Sequence, residues 1–188
     1  MPEEIEAKVR IDDPEAFRRR MNSLSAPAAG PVFEINRLFD DDAGRLRRSG
    51  AALRVREEFP AAGGPAARTL LTYKGPRTES RLKRRPEFET EVASAEAITA
   101  ILEALGLRET FRYEKRRTAW RAGDCEVTLD EVPLLGWFAE IEGPSEAIIL
   151  RQLNDLGLGG RPLIAESYVH LLADRLASLG RDQTKAVF

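Results

Sequence analysis

The residues in this chain with the most chemical potential are charged side chains spaced two apart. On a β-strand such residues share a face, while those between them take the other. Near the N-terminus Glu4, Glu6 and Lys8 alternate with Ile5, Ala7 and Val9. Arg54 and Arg56 alternate with Leu53 and Val55, and Lys74 follows Thr72 with Leu71 and Tyr73 opposite. Arg81, Lys83, Arg85, Glu87, Glu89 and Glu91 form one unbroken charged face. Lys115 and Arg117 lie two apart, as do Glu126, Thr128 and Asp130, and then Glu140 and Glu142.

Sorted by sign, Lys8, Arg54, Arg56, Lys74, Arg85, Lys115 and Arg117 form a candidate substrate-binding and catalytic basic set. Arginine forks match phosphate oxygens bidentately and lysines add point charges. Glu4, Glu6, Glu87, Glu89, Asp130, Glu140 and Glu142 form a candidate metal-ligating set. Hard carboxylate oxygens beside phosphates suit Mg²⁺ or Mn²⁺. A basic wall and a carboxylate–metal wall together describe a site for a polyphosphate chain.

A single strand of this kind reads equally well as a half-buried strand with its charges in water. The recurrence of charged faces of both signs on strand after strand points elsewhere. The helical segments are amphipathic, with Phe17 and Leu24, then Ile98, Ile101, Leu102 and Leu105, then Ile148, Ile149, Leu153 and Leu156. They can cover the apolar faces of the strands, which leaves the charged faces to line the inside of a closed sheet. An unpaired charge in such an interior costs several kcal/mol, so the set must be paired, hydrated or occupied by ligand and metal.

The elements that would position these groups follow from local signals. Strands are expected at Glu4–Ile11, Phe33–Asp40, Ala51–Phe59, Arg68–Lys74, Arg81–Val92, Arg112–Arg121, Glu126–Val132 and Trp137–Glu142. Pro86 marks a bulge or an unpaired edge in the fifth. Asp13-Pro14, Ser94 and Ser145 read as helix starts, Gly106 and Gly157 as stops, and a last helix is expected from about Glu166 to Leu179. The segment 181–188 reads as a flexible tail after a single domain of residues 1–180. The fold class is α+β, dominated by an antiparallel sheet.

The 188 residues fit one domain, and 29 basic residues nearly balance 31 acidic ones. No single-sign field is available to recruit nucleic acid or a membrane, and interleaved acids would repel a phosphate backbone. No apolar run approaches the ~20 residues of a membrane span. The single cysteine, Cys125, excludes an internal disulfide and suits a reducing cytoplasm. With His170 as the only histidine, zinc or serine–histidine chemistry has no support. Exposed apolar positions permit a monomer or a homodimer.

The charged motifs occur in an order that resembles the CYTH superfamily, the triphosphate tunnel metalloenzymes. Glu4-x-Glu6-x-Lys8 comes first, then Arg54-x-Arg56, Lys74 in Leu-Thr-Tyr-Lys-Gly-Pro, and Arg85-x-Glu87-x-Glu89. Lys115-x-Arg117, Asp130 in Leu-Asp-Glu-Val and Glu140-x-Glu142 complete the series. Glu34-x-Asn36, Phe39-Asp40 and the late Ser167-Tyr168 are most similar to the class IV adenylyl cyclase branch. The resemblance implies an eight-stranded antiparallel tunnel with a charged interior, basic residues gripping a triphosphate, and metal ligands among Glu4, Glu6, Asp130, Glu140 and Glu142. It implies either ATP conversion to cyclic AMP and pyrophosphate or hydrolysis of inorganic or organic triphosphate. A non-catalytic polyphosphate- or nucleotide-binding module is the alternative from another class.

Overall fold

The computed structural model describes residues 3–24, 26, 28–78 and 80–188. Strand β1 (Glu3–Ile11) shows why the sheet closes: Ile5, Ala7, Val9 and Ile11 lie buried on one face, and Glu4, Glu6 and Lys8 lie buried on the other. A strand buried on both sides, with charges on one of them, belongs to a barrel wall. The remaining strands are β2 (Val32–Asp40), β3 (Ala52–Pro60), β4 (Arg68–Lys74), β5 (Lys83–Glu91), β6 (Arg108–Ala122), β7 (Cys125–Val132) and β8 (Gly136–Glu142). They run antiparallel in the order β2-β3-β4-β5-β1-β8-β7-β6, and β2 pairs with β6 to close the ring. The α+β class and the eight-stranded antiparallel barrel are as the sequence predicts.

Pro86 sits where β5 changes partner. Glu87 to Glu91 pair with β4, whereas Lys83 to Pro86 pair with β1. The proline, which has no N–H to donate, therefore stands where both ladders end, and its carbonyl accepts from Gly75 N at 2.8 Å. Gly75 lets the two strands approach closely there, since a Cβ would lie 3.3 Å from Pro86 Cδ.

Helices cover the outside. Helix α1 (Pro14–Ser23) is capped by Asp13, whose carboxylate accepts from Ala16 N at 2.9 Å. Its Phe17 and Met21 join Ile149 and Leu153 of α4 (Glu146–Asp155) over Val9, Val127, Leu129 and Ile141. Helix α3 (Ala95–Ala104) places Ala95 and Leu102 on Phe39 and Val55. None of the described helices is long and apolar enough to cross a membrane.

Three features depart from the expected boundaries. Strand β6 begins at Arg108, not Arg112, because its ladder with β2 continues to Asp40↔Arg108. Strand β5 begins at Lys83, so Arg81 precedes the charged face and is exposed. A short helix, α2 (Arg45–Arg48), interrupts the β2–β3 connection, where the Asp40 carboxylate accepts from the backbone of Asp41, Leu46 and Arg47.

The last helix caps one end of the barrel rather than covering its outer wall. Helix α5 (Tyr168–Ser178) packs Tyr168, Leu172 and Leu176 against Phe111, Tyr113, Val132 and Phe138. By strand alternation those four share their faces with Lys115, Asp130 and Glu140. The helix thus plugs one end of the barrel with apolar contacts. The segment read as a flexible tail supplies a further strand, β9 (Lys185–Ala186), parallel to β6 at Arg112 and Tyr113. That stretch of β6 lies beyond the reach of β7, which pairs from Arg116 onward, so its free edge accepts a new strand. Ala186 is buried in the plug as a result.

Candidate active site

The inner faces of β1, β5 and β8 meet along one seam of the barrel. Register sets Glu4 opposite Arg85 and Glu6 opposite Lys83 on one side, then Glu6 opposite Glu142 and Lys8 opposite Glu140 on the other. Arg85 Nε donates to Glu4 Oε2 at 3.1 Å and Lys74 Nζ to Glu4 Oε1 at 2.7 Å. Lys74 also pairs with Glu87, and Lys83 with Glu6. Lys8 Nζ lies 3.3 Å from Glu140 Oε1 and donates to the Glu166 carbonyl at 3.0 Å.

The opposite wall comes from β2, β3, β6 and β7. Its centre is Glu34, fully buried and within 3.4 Å of Arg56, 3.3 Å of Lys115 and 3.6 Å of Arg117. Burial opposes its charge, but Arg56 first and then Lys115 and Arg117 outweigh that, and its carboxyl is held far below the usual carboxylate range. Asn36 links the group by accepting from Arg56 Nε at 3.2 Å and donating to Glu34 at 3.2 Å. Lys115 responds in the other direction: burial, then repulsion from Arg117, lower its pKa against the pull of Asp130 and Glu34. At the edge of this wall Arg54 donates to Thr72 at 3.2 Å, and Thr72 donates to Glu89 at 2.8 Å.

Between the walls runs a cavity of about 710 Å³, whose lining also includes Asp40–Gly44 and the first turns of α5. All seven basic residues singled out from the sequence line it: Lys8, Arg54, Arg56, Lys74, Arg85, Lys115 and Arg117. Of the acidic set, Glu4, Glu6, Glu140 and Glu142 line it. Glu87, Glu89 and Asp130 are not among its described lining residues. Glu87 is held by Lys74, Glu89 lies exposed beside Arg54 and Thr72, and Asp130 is enclosed by its cationic partners.

A closed antiparallel barrel, a cavity lined by all seven candidate basic side chains and a carboxylate seam on β1 and β8 are the features expected from the resemblance. The sequence profile of the CYTH domain matches residues 2–150. The chain belongs to the CYTH family. It is 27% identical over 177 residues to the protein named "Putative adenylate cyclase MJ0240" of Methanocaldococcus jannaschii, covering 89% of this chain and 97% of that one. It is 29% identical over 178 residues to "Adenylate cyclase CyaB" of Aeromonas hydrophila, covering 88% and 86%. The solved structure of HpAC1 from Hippeastrum, described as having a dominant triphosphatase activity, superposes with a TM-score of 0.67 at 21% identity, covering 95% and 97%.

Within this CYTH tunnel several residues stand outside the candidate basic and acidic sets drawn from the sequence. Lys83 shares the inner face of β5 and could have been included on alternation alone. Glu34 and Asn36 stand two apart on β2, but a single acid beside an amide carries no distinctive chemical signal. Arg77 lines the cavity from the β4–β5 loop, where no periodicity marks it. Tyr168 donates to Asp130 Oδ2 at 2.9 Å from α5, and nothing in a helical tyrosine announces that contact.

Among the described residues no three acidic, histidine or cysteine side chains converge into a ready-made metal cage. Mg²⁺ is commonly held by one or two carboxylates together with substrate phosphates, so a tunnel in which Glu6 and Glu142 stand in register fits a cation completed by its substrate. Thr128, which faces Glu140 across β7 and β8, adds a buried hydroxyl oxygen without a partner among the described residues. Glu142 carries the clearest sign of local negative charge. Enclosure at the tunnel mouth, then Glu4 and Glu87, push its carboxyl up to about 7, with Glu126 adding and Lys74 opposing. The residue as a whole is exposed, so water in the mouth moderates this effect.

Proposed function

We propose that this CYTH protein is a metal-dependent enzyme that holds a triphosphate in its tunnel and catalyses phosphoryl or nucleotidyl transfer on it. The observation that carries the reading is the convergence of Lys8, Arg54, Arg56, Lys74, Arg85, Lys115 and Arg117 on one cavity. Most of these cations are already paired to carboxylates, so the resting site is organised rather than collapsed by repulsion. An entering triphosphate exchanges those carboxylate contacts for phosphate oxygens at little reorganisation.

Glu4, Glu6, Glu140 and Glu142 are the residues we assign to Mg²⁺ or Mn²⁺. When bound, the metal would neutralise charge on the phosphates and polarise the bond to be broken. Asp130, Glu87 and Glu89 then act as supports that orient Arg117, Lys74 and Arg54. The chain's own residues grip and align the phosphates so that a nucleophile can attack in line. If the nucleophile is the ribose 3′-hydroxyl of ATP, the products are cyclic AMP and pyrophosphate, in keeping with the names of the two sequence relatives. If it is water at the terminal phosphorus, the product is orthophosphate, in keeping with the activity described for HpAC1.

Product analysis tests this directly. Purified protein is incubated with ATP or inorganic triphosphate, with Mg²⁺ or Mn²⁺ or with a chelator. Metal-dependent cyclic AMP and pyrophosphate establish the cyclase, and metal-dependent orthophosphate establishes the triphosphatase. Tight binding of both compounds without turnover of either would make the protein the non-catalytic binding module instead.

A further inference from the structure

The residues of the CYTH profile end at 150, yet one side chain beyond that point reaches the middle of the basic site. Tyr168 opens α5, and its ring is buried against Phe138 in an edge-to-face contact, with centroids 5.3 Å apart. Its hydroxyl donates to Asp130 Oδ2 at 2.9 Å. Lys8 Nζ stands 4.0 Å from its ring centroid and Lys115 Nζ 5.6 Å from it. Lys8, Lys115 and Asp130 come from β1, β6 and β7, and this one phenol touches all three.

Each contact constrains a different degree of freedom. The ring offers its negative face to two ammonium groups without taking up a hydrogen-bonding proton from either. It therefore adds no further acceptor to those that Lys8 already meets in Glu140 and the Glu166 carbonyl and Lys115 in Asp130 and Glu34. The hydroxyl fixes the rotation of Asp130, and Asp130 in turn holds the Arg117 fork and Lys115. The depth of Tyr168 is set by Leu172 and Leu176 in the apolar plug. Its own ionisation is suppressed, first by burial and then by Asp130 and Glu140, so the phenol stays a donor.

We infer that Tyr168 is a positioning residue of the tunnel, which presents Lys8, Lys115 and Arg117 to the phosphates and makes the α5 plug part of the substrate site. The inference rests on the triphosphate reading above. It implies that the phosphate site is incomplete without a segment outside the profile-matched residues.

The test uses the full chain and two variants. Tyr168→Phe keeps the ring and removes only the hydroxyl; Tyr168→Leu removes the aromatic face as well. Binding of inorganic triphosphate with magnesium is measured by calorimetry, beside melting temperature. The Kd is expected to rise about tenfold in Tyr168→Phe, the size of a lost hydrogen bond to a charged group, and further in Tyr168→Leu. In protein labelled with ¹³C-lysine, the Lys8 ε-methylene resonance is expected to be ring-shifted in the wild type and in Tyr168→Phe and to lose that shift in Tyr168→Leu. A lowered melting temperature with wild-type Kd in both variants would show a purely structural residue and overturn the inference. If Tyr168→Leu does not fold, the Tyr168→Phe Kd decides alone. Wild-type protein that binds no triphosphate would overturn the triphosphate reading instead, and the Lys8 resonance would still decide whether Tyr168 sets that lysine's place.

Discussion

Arg117 grips Asp130 with both arms of its fork, Nε to Oδ1 and Nη2 to Oδ2, each at 2.7 Å. The same Nη2 reaches Glu140 Oε2 at 2.5 Å, so one guanidinium ties Asp130 of β7 to Glu140 of β8. Burial acts against the charge of Arg117, and Asp130 and then Glu34 override it, raising its pKa well above the usual arginine value. Asp130 therefore holds a cation in place, and it is not among the described residues that line the cavity.

Asp130→Asn should be strongly destabilising, because it leaves Lys115 and Arg117 buried with one counter-charge fewer. Loss of one partner from a buried charge pair typically costs about 3–5 kcal/mol. Denaturant unfolding measures it. A loss under about 1 kcal/mol would mean that water reaches this network freely.

Glu6→Gln keeps the size of the side chain and removes one carboxylate from the β1–β8 seam. Under the metal assignment, turnover at saturating triphosphate should fall by more than about a hundredfold, the equivalent of several kcal/mol of transition-state stabilisation. Triphosphate binding measured with a chelator present should persist, since Glu6 repels the ligand rather than attracting it. Unchanged turnover would remove Glu6 from the metal site.

Glu142 should leave a signature in the pH dependence of stability. Its folded-state pKa of about 7 stands above the ordinary value of 4.5. The native state thus binds its proton more tightly than the unfolded chain does. The stabilising contribution is full below about 4.5 and is lost as pH rises through about 7. With a chelator present, melting temperature should decline over that window in the wild type, and Glu142→Gln should flatten the decline. Equal slopes in the two proteins would refute the raised pKa.

Removal of residues 184–188 should lower stability by about 1–3 kcal/mol, since it uncovers the plug and strips the β6 edge of a strand. Ala186 is buried in the α5 cluster, Arg112 N donates to the Thr184 carbonyl at 2.8 Å, and the Arg116 guanidinium lies 3.9 Å from the Phe188 ring centroid. A truncated chain with the wild-type melting temperature would mean that this segment is a free tail in solution.

The barrel was legible because its walls obey a period of two. Alternation at Glu4–Lys8, Arg54–Arg56 and Glu140–Glu142 assigns each side chain to a face without reference to any other strand. It brought all seven basic residues to the cavity they line. Helix starts at Asp13, Ser94 and Ser145 were equally local, because a cap needs only the backbone N–H groups two or three residues on. Alternation could not distinguish Glu4 and Glu6, which face the cavity, from Asp130, which shares an inner face but is enclosed by Arg117, Lys115 and Tyr168.

What the sequence by itself determined is the list of charged faces, their order and the family they match, since each depends on neighbours a few residues apart. The tertiary structure alone decided which charges face the open cavity and which are consumed as supports. It also decided that α5 caps one end of the barrel and that Lys185–Ala186 pair with β6. The physical reason is range. A face is set by backbone geometry within one strand, whereas the pairing of Lys74 with Glu4 and of Tyr168 with Lys8 depends on how elements far apart in the chain meet when the ring closes.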